Sequence, residues 1–196
     1  MSVQTQTAIL TGANMRGDRE PYDFYPTPTA ATEALIKAEG SHLLTRRVWE
    51  PACGDGAMAE VLKARGVKVL ATDLIDRGYG VGDIDFLAAE PPERARLNAV
   101  VTNPPYKIGT DFVQRALSFP SVEYVAMLLR VNFWNAASRI NLFDSWPPAL
   151  VYMLTWRLDF TGKGAPTGDS MWVVWDRARG TDTRFKMLPK PKEVSR

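Results

Sequence analysis

Short apolar runs alternating with helical segments constrain this chain more than any other feature. Arg47–Glu50 is a strand-like run halted by Pro51; Val67–Thr72, Ala99–Thr102, Tyr124–Leu129, Ala149–Trp156 and Met171–Trp175 are others. Between them lie stretches whose apolar residues recur at helical spacing. Ala31, Ala34, Leu35 and Ala38 share a face after Thr29, a candidate cap, and Gly40 closes that helix. Met58, Val61 and Leu62 share another that ends at Gly66, and Phe112–Leu117 and Ala136–Phe143 predict two more. Strands alternating with helices imply βαβ units and a parallel sheet covered on both faces. No helix separates the last two strands. Their linker, Asp159–Ser170, holds Gly162, Gly164, Pro166 and Gly168, so they are expected to pair antiparallel as a hairpin at the sheet edge. The expected organisation is one α/β domain over residues 23–183, with a loose arm over 1–22 and a basic tail over 184–196.

Composition removes several chemistries. Cys53 and His42 are the only residues of their kinds, which excludes a disulfide within the chain and a Cys/His zinc site, and no metal is expected. No apolar run approaches the roughly 18 residues of a membrane span, and Met1–Glu20 is too polar for a signal peptide, so a cytoplasmic protein without membrane contact is expected. The net charge of +2 is unevenly spread. Residues 1–98 carry 11 Lys and Arg against 14 Asp and Glu, and residues 99–196 carry 13 against 8. A basic second half suits a polyanion and suits an ordinary solvated surface equally well. The same ambiguity holds for Arg184, Lys186, Lys190, Lys192 and Arg196, which face only Glu193 in the tail.

In open α/β sheets, ligands bind outside the carboxyl ends of the strands. Three features fall at such ends. Glu50-Pro51-Ala52-Cys53-Gly54-Asp55-Gly56 joins a strand to a helix, where glycines allow close backbone approach and the helix start favours negative charge. It lacks the third glycine of the dinucleotide fingerprint and is no phosphate P-loop. Asp73 ends the next strand and can accept both hydroxyls of a ribose. Asp83-Ile84-Asp85-Phe86 pairs acids with apolar residues in a loop rich in Gly and Asp (78–85), where a third strand is expected to end, and either acid could be the ligand.

Asn103-Pro104-Pro105-Tyr106 is the most specific segment. Two prolines fix φ, remove two donors and push Pro104 towards an extended conformation, which aims its carbonyl in a set direction. Beside that carbonyl stand the Asn103 side-chain oxygen, a second acceptor, and the Tyr106 ring, a stacking platform. Two fixed acceptors and a ring can hold a planar amino group.

These segments together resemble the class I S-adenosylmethionine-dependent methyltransferases, specifically the DNA adenine-N6 type. Residues 50–56 look like their cofactor motif I, Asp73 like the ribose-binding acid, and Asp85-Phe86-Leu87 like the motif that meets the cofactor adenine. Asn103–Tyr106 looks like the catalytic motif, and Asp23-Phe24-Tyr25-Pro26-Thr27-Pro28 like the segment that closes over the methionine end. The resemblance spans about Tyr22 to Arg177. It implies a single-domain Rossmann-like methyltransferase fold with a mostly parallel seven-stranded sheet and an antiparallel C-terminal hairpin strand. The implied cofactor is S-adenosyl-L-methionine, held by Tyr25, Thr27, Glu50, Pro51, Ala52, Cys53, Gly54, Gly56, Asp73, Leu74, Asp85, Phe86 and Asn103. Asn103, Pro104, Pro105 and Tyr106 are the implied catalytic set.

Two features depart from the family pattern. Asn98 opens the strand before the catalytic turn where an acid is common, and no block is large enough for a separate target-recognition domain. The small, phage-type enzymes share that economy, so relaxed sequence specificity is expected. The implied partner is DNA with its target adenine flipped into the site. Lys107, Arg130, Arg157 and Lys163 are candidates for nucleic-acid contact, and Phe133 and Trp134 for the mouth of the site or the core. A monomer or homodimer is expected. RNA adenine or a protein glutamine are alternative acceptors for the same chemistry, and an inactive nucleic-acid-binding protein with this fold is an alternative of another class.

Overall fold

The structure, a computed structural model, describes residues 24–162, 164, 166 and 168–192. The arm expected over 1–22 and the candidate Lys163 lie outside the described residues. Helix α1 spans Thr29–Glu39 and α2 Ser41–Leu44, and both lead into β1, Arg47–Glu50. Helix α3 (Ala57–Ala64) and β2 (Lys68–Ala71) follow, then β3 (Ala99–Thr102), α4 (Gly109–Ser118) and β4 (Tyr124–Arg130). Helix α5 (Ile140–Ser145), β5 (Leu150–Leu154), β6 (Ser170–Asp176) and β7 (Arg184–Leu188) complete the order.

The seven strands form one sheet in the order β2-β1-β3-β4-β6-β5-β7. Strands β1 to β4 are parallel, β6 runs against both β4 and β5, and β7 lies parallel to β5. The mostly parallel α/β sheet with an antiparallel C-terminal strand is therefore observed. The antiparallel strand is not at the edge, however. β6 slots between β4 and β5, and all seven of its residues are buried, as its unbroken run Met171-Trp172-Val173-Val174-Trp175 requires.

Alternate residues of each strand feed two apolar layers. Val48, Tyr124, Ala126, Tyr152 and Trp172 pack beneath α1 and α3, while Trp49, Val100, Val125, Val151 and Val173 pack beneath α4 and α5. Tryptophan indoles on β6 pin a helix layer on each side. Trp172 Nε1 donates to the Ala31 carbonyl 3.0 Å away, and Trp175 Nε1 to that of Trp146 at 2.8 Å.

Several local expectations differ from what is observed. Thr29 is the first residue of α1 rather than its cap, and Pro28 takes the cap position without a side-chain bond. Ala38, expected on the apolar face of α1, is exposed. No third strand precedes Asp83. Residues 73–90 follow an irregular path tied to the sheet by one bridge, Thr72 to Val81, because Gly78, Gly80 and Gly82 break any strand pattern. The helix expected over Ala136–Phe143 is a 3₁₀ turn, Ala137–Arg139, followed by the six residues of α5. The basic segment expected as a tail begins as a strand, β7, whose alternation of charged and apolar residues fits a sheet edge.

At the end of the sheet opposite β3's carboxyl terminus, a polar cluster is sealed in. Glu39 Oε1 accepts from Tyr152 Oη at 2.6 Å and from Arg179 Nη1 at 2.9 Å, and Arg179 Nε lies 3.1 Å from Asp176. The Glu39 and Asp176 side chains are fully buried, so loss of one partner strands a charge in the core. Arg179→Ala is expected to destabilise the fold by about 3–5 kcal/mol, because it leaves both buried carboxylates without the guanidinium. Urea unfolding of the two proteins measures this directly.

Candidate active site

A cavity of about 470 Å³ opens at the carboxyl ends of β1, β2 and β3. Its floor is the bend between β1 and α3. Gly54 adopts a φ of +55°, which only glycine takes without strain, and a Cβ there would fall 2.5 Å from the Phe24 ring. Phe24 in turn carries the Arg77 guanidinium 4.2 Å from its centroid. Residues 24–27 thus close one wall of the cavity over the bend.

Asp73 fastens the bend from the next strand. Its Oδ2 accepts from Gly54 N at 2.8 Å and its Oδ1 from Ile75 N at 2.9 Å. Each carboxylate oxygen keeps a further lone pair, and Asp73 lines the cavity. Asp85 lines it too, held by its own turn through Leu87 N to Oδ1 at 2.9 Å, whereas Asp83, at a φ of +57°, does not.

Glu50 is 2% exposed at the tip of β1, and its Oε2 has no hydrogen-bond partner among the described residues. Burial first, then the nearby Asp73 carboxylate, push its carboxyl well above the usual carboxylate range. A raised folded-state value favours the fold fully at acidic pH, and that contribution is lost as pH climbs through it. The unfolding free energy is therefore expected to fall by up to about 1.4 kcal/mol per pH unit across this window, and Glu50→Gln is expected to flatten the slope. Urea midpoints at a series of pH values read out both. Burial, together with Glu50 and Asp73, also pushes the Cys53 thiol up to about 12, so it remains protonated and a poor nucleophile.

The Asn103-Pro104-Pro105-Tyr106 turn forms the opposite wall. Asn103 Nδ2 donates to Thr27 Oγ1 at 3.2 Å, which fixes the amide plane, while the buried Oδ1 has no partner among the described residues. A buried acceptor left unpaired costs about 1–3 kcal/mol. The Tyr106 ring stacks on Tyr25 with centroids 6.3 Å apart and planes 26° apart. The Arg130 guanidinium lies 5.4 Å from the Tyr106 centroid and against Gly168, where a Cβ would fall 2.1 Å from Nη2.

Tyr25, Thr27, Glu50, Pro51, Ala52, Cys53, Gly54, Asp73, Leu74, Asp85, Phe86, Asn103, Pro104, Pro105, Tyr106 and Lys107 all line this one cavity. Gly56 does not: it begins α3 at a φ of +87° beneath the Tyr79 ring. Phe86 shows the cavity only part of itself and packs in the core on Trp49 and Phe112, centroids 5.0 and 4.9 Å away. Arg157 pairs with Asp169 at 3.0 Å on the surface. Phe133 is buried in the core, and Trp134 is half-buried, donating to Met171 Sδ at 2.9 Å. Sequence reasoning passed over Ile75, Arg77, Ile84 and Phe112, which also line the cavity. The position of Ile75 and Arg77 just past Asp73 was the available signal for that pair.

A scan against protein-family models finds no match, nor does a search of curated proteins. Solved structures do match. A protein described as a candidate RNA methyltransferase from Pyrococcus horikoshii gives a TM-score of 0.64 over 89% of this chain and 98% of its own, at 13% identity. The modification subunit of a candidate type I restriction enzyme from Vibrio vulnificus gives 0.63 over 97% of this chain, at 12% identity. This chain spans 51% of that subunit. The 23S rRNA methyltransferase ErmE gives 0.53 over 86% of this chain and 72% of its own, at 24% identity. The fold is that of the Rossmann-like methyltransferases. In this methyltransferase fold the β1–α3 bend, Asp73 and the Asn103 turn share one rim of the sheet, the rim where open α/β folds bind ligands. No helix among the described residues is long and apolar enough to cross a membrane.

Proposed function

We propose that this chain transfers a methyl group from S-adenosylmethionine to the exocyclic N6 amino group of adenine in DNA, with relaxed demand on the surrounding sequence. The observation that carries the reading is the Asn103 side chain: its nitrogen is held by Thr27, and its buried oxygen finds no donor among the described residues. The cavity volume falls within the roughly 300–1,000 Å³ of small-molecule sites. The free lone pairs of Asp73 suit a ribose, Asp85 suits an adenine amino group, and the acids Asp55, Asp73 and Asp85 that line the cavity suit a ligand carrying positive charge. When bound, S-adenosylmethionine supplies an electrophilic methyl group on sulfur.

The protein's own part is positional and electrostatic. An amino group conjugated to an aromatic ring is a weak nucleophile because its lone pair is delocalised. Acceptance of its two N–H bonds by Asn103 Oδ1 and the Pro104 carbonyl favours a pyramidal nitrogen and aims the lone pair across the cavity. The stiff diproline backbone holds both acceptors in place before the base arrives. No histidine or thiolate is required, which agrees with a buried, protonated Cys53. Tyr106 offers its ring to the base, a contact worth roughly 1–3 kcal/mol. Labelled donor incubated with unmethylated DNA or with RNA of matching sequence, followed by digestion to nucleosides, tests the proposal. Label in N6-methyldeoxyadenosine is expected. Label in another nucleoside, in RNA alone, or nowhere would overturn it.

A further inference from the structure

We infer that the outer edge of the sheet is a docking surface for the nucleic-acid strand that flanks the target base, a reading that rests on the proposed function and adds a site to it. Phe185 and Met187 of β7 are 64% and 73% exposed, unusual values for residues of this kind in a strand. Both stand on the sheet face that carries Val151 and Met153, their register partners on β5. Phe185 meets the half-buried Trp134, centroids 6.3 Å apart, and Trp134 continues into Phe143 at 4.3 Å. Arg184 and Lys186 alternate with these residues and so stand on the opposite face of β7, and Lys190 and Lys192 lie past its carboxyl end. All four cations are exposed, and none forms an ion pair among the described residues.

Lysines on an edge strand commonly guard against pairing with another copy, and facing rows of Arg184 and Lys186 would repel a second β7. That guard explains the cations and leaves the exposed rings uncovered. A single nucleic-acid strand covers the rings, with bases on Phe185 and Trp134 and phosphates on Lys190 and Lys192 beyond the carboxyl end of β7, while Arg184 and Lys186 on the opposite face keep the guarding role.

Direction and distance fit the proposed site. β7 is parallel to β5, β5 and β4 both run against β6, and β4 is parallel to β3, so the carboxyl end of β7 emerges on the rim that carries Asn103. Four strand spacings separate β3 from β7, about 19 Å, or roughly six nucleotides along one strand at duplex rise. The surface therefore engages a substrate of some length and leaves a very short one untouched.

The test is fluorescence anisotropy with labelled single-stranded DNA of four and of twenty nucleotides, across a salt series and without methyl donor. Phe185→Ala with Met187→Ala is expected to weaken twentymer binding about tenfold and leave the tetramer unchanged. Lys190→Gln with Lys192→Gln is expected to reduce the salt slope by about 1.4, at 0.7 per cation. These side chains are exposed, so the fold and methyl transfer to the tetramer are expected to persist. Unchanged twentymer affinity and salt slope would overturn the inference, as would variants that alter only self-association, seen by sedimentation. If the variants lose the twentymer while no protein transfers methyl groups, the docking surface stands and the proposed function falls. If transfer works and the variants bind normally, the reverse holds.

Discussion

Asn103→Ala is expected to slow methyl transfer by roughly 100- to 1,000-fold while donor affinity changes by no more than a few-fold, as removal of one preorganised partner at a reacting group does elsewhere. The amide oxygen is buried and without a hydrogen-bond partner among the described residues, so the variant takes away a contact made to the acceptor amine and little else. Thr27 loses a partner, but its own hydroxyl can turn. Asn103→Asp is expected to retain part of the rate, because a carboxylate oxygen can accept from the amine while Thr27 donates to the other. Single-turnover rates set beside calorimetric donor titrations separate the two effects. A matched fall in rate and donor affinity would show that Asn103 merely shapes the cavity.

Asp73→Ala is expected to weaken donor binding by at least about 100-fold. The carboxylate holds two backbone N–H groups and offers two more lone pairs to ligand hydroxyls. Hydrogen bonds to a charged partner contribute about 1.5–3 kcal/mol each, and 1.4 kcal/mol is tenfold in affinity. Loss of the Gly54 tie also frees the bend that forms the floor of the cavity, so the loss adds disorder to missing contacts. Asp73→Asn keeps the shape and one good acceptor, and is expected to fall between. Calorimetry with S-adenosylmethionine and with its demethylated product measures both variants. Equal affinities in variant and parent would place the donor elsewhere.

Parallel-sheet architecture is written in the chain because its strands are continuous apolar runs and its helices carry a periodic face. β4 and α3 are legible for that reason. β7 was not legible, since Arg184-Phe185-Lys186-Met187-Leu188 alternates as a strand does but sits among cations and turn residues that read as a tail. The loop over 78–85 was legible from its glycines at 78, 80 and 82, and the same glycines exclude the third strand expected to end there. The position of β6 between β4 and β5 depends on long-range pairing, which local pattern does not encode.

The cavity was legible where backbone geometry is dictated by residue type, at Gly54 and at Pro104-Pro105. The choice between Asp83 and Asp85 was not, because it follows from a left-handed residue at Asp83 that turns its side chain off the cavity wall. The Arg130 guanidinium against Gly168 was equally hidden. It needs the β5–β6 loop to return to the rim, a contact across 38 residues of sequence.

The most direct measurement is a crystal structure of the chain with the demethylated donor and a short adenine-containing oligonucleotide. The ribose hydroxyls are expected on Asp73, the sulfur facing the cavity wall formed by Asn103, and the adenine amino group within hydrogen-bond reach of both Asn103 Oδ1 and the Pro104 carbonyl. An adenine seated with its amino group turned away from that pair of oxygens, or a donor bound outside the Gly54 bend, would contradict the account.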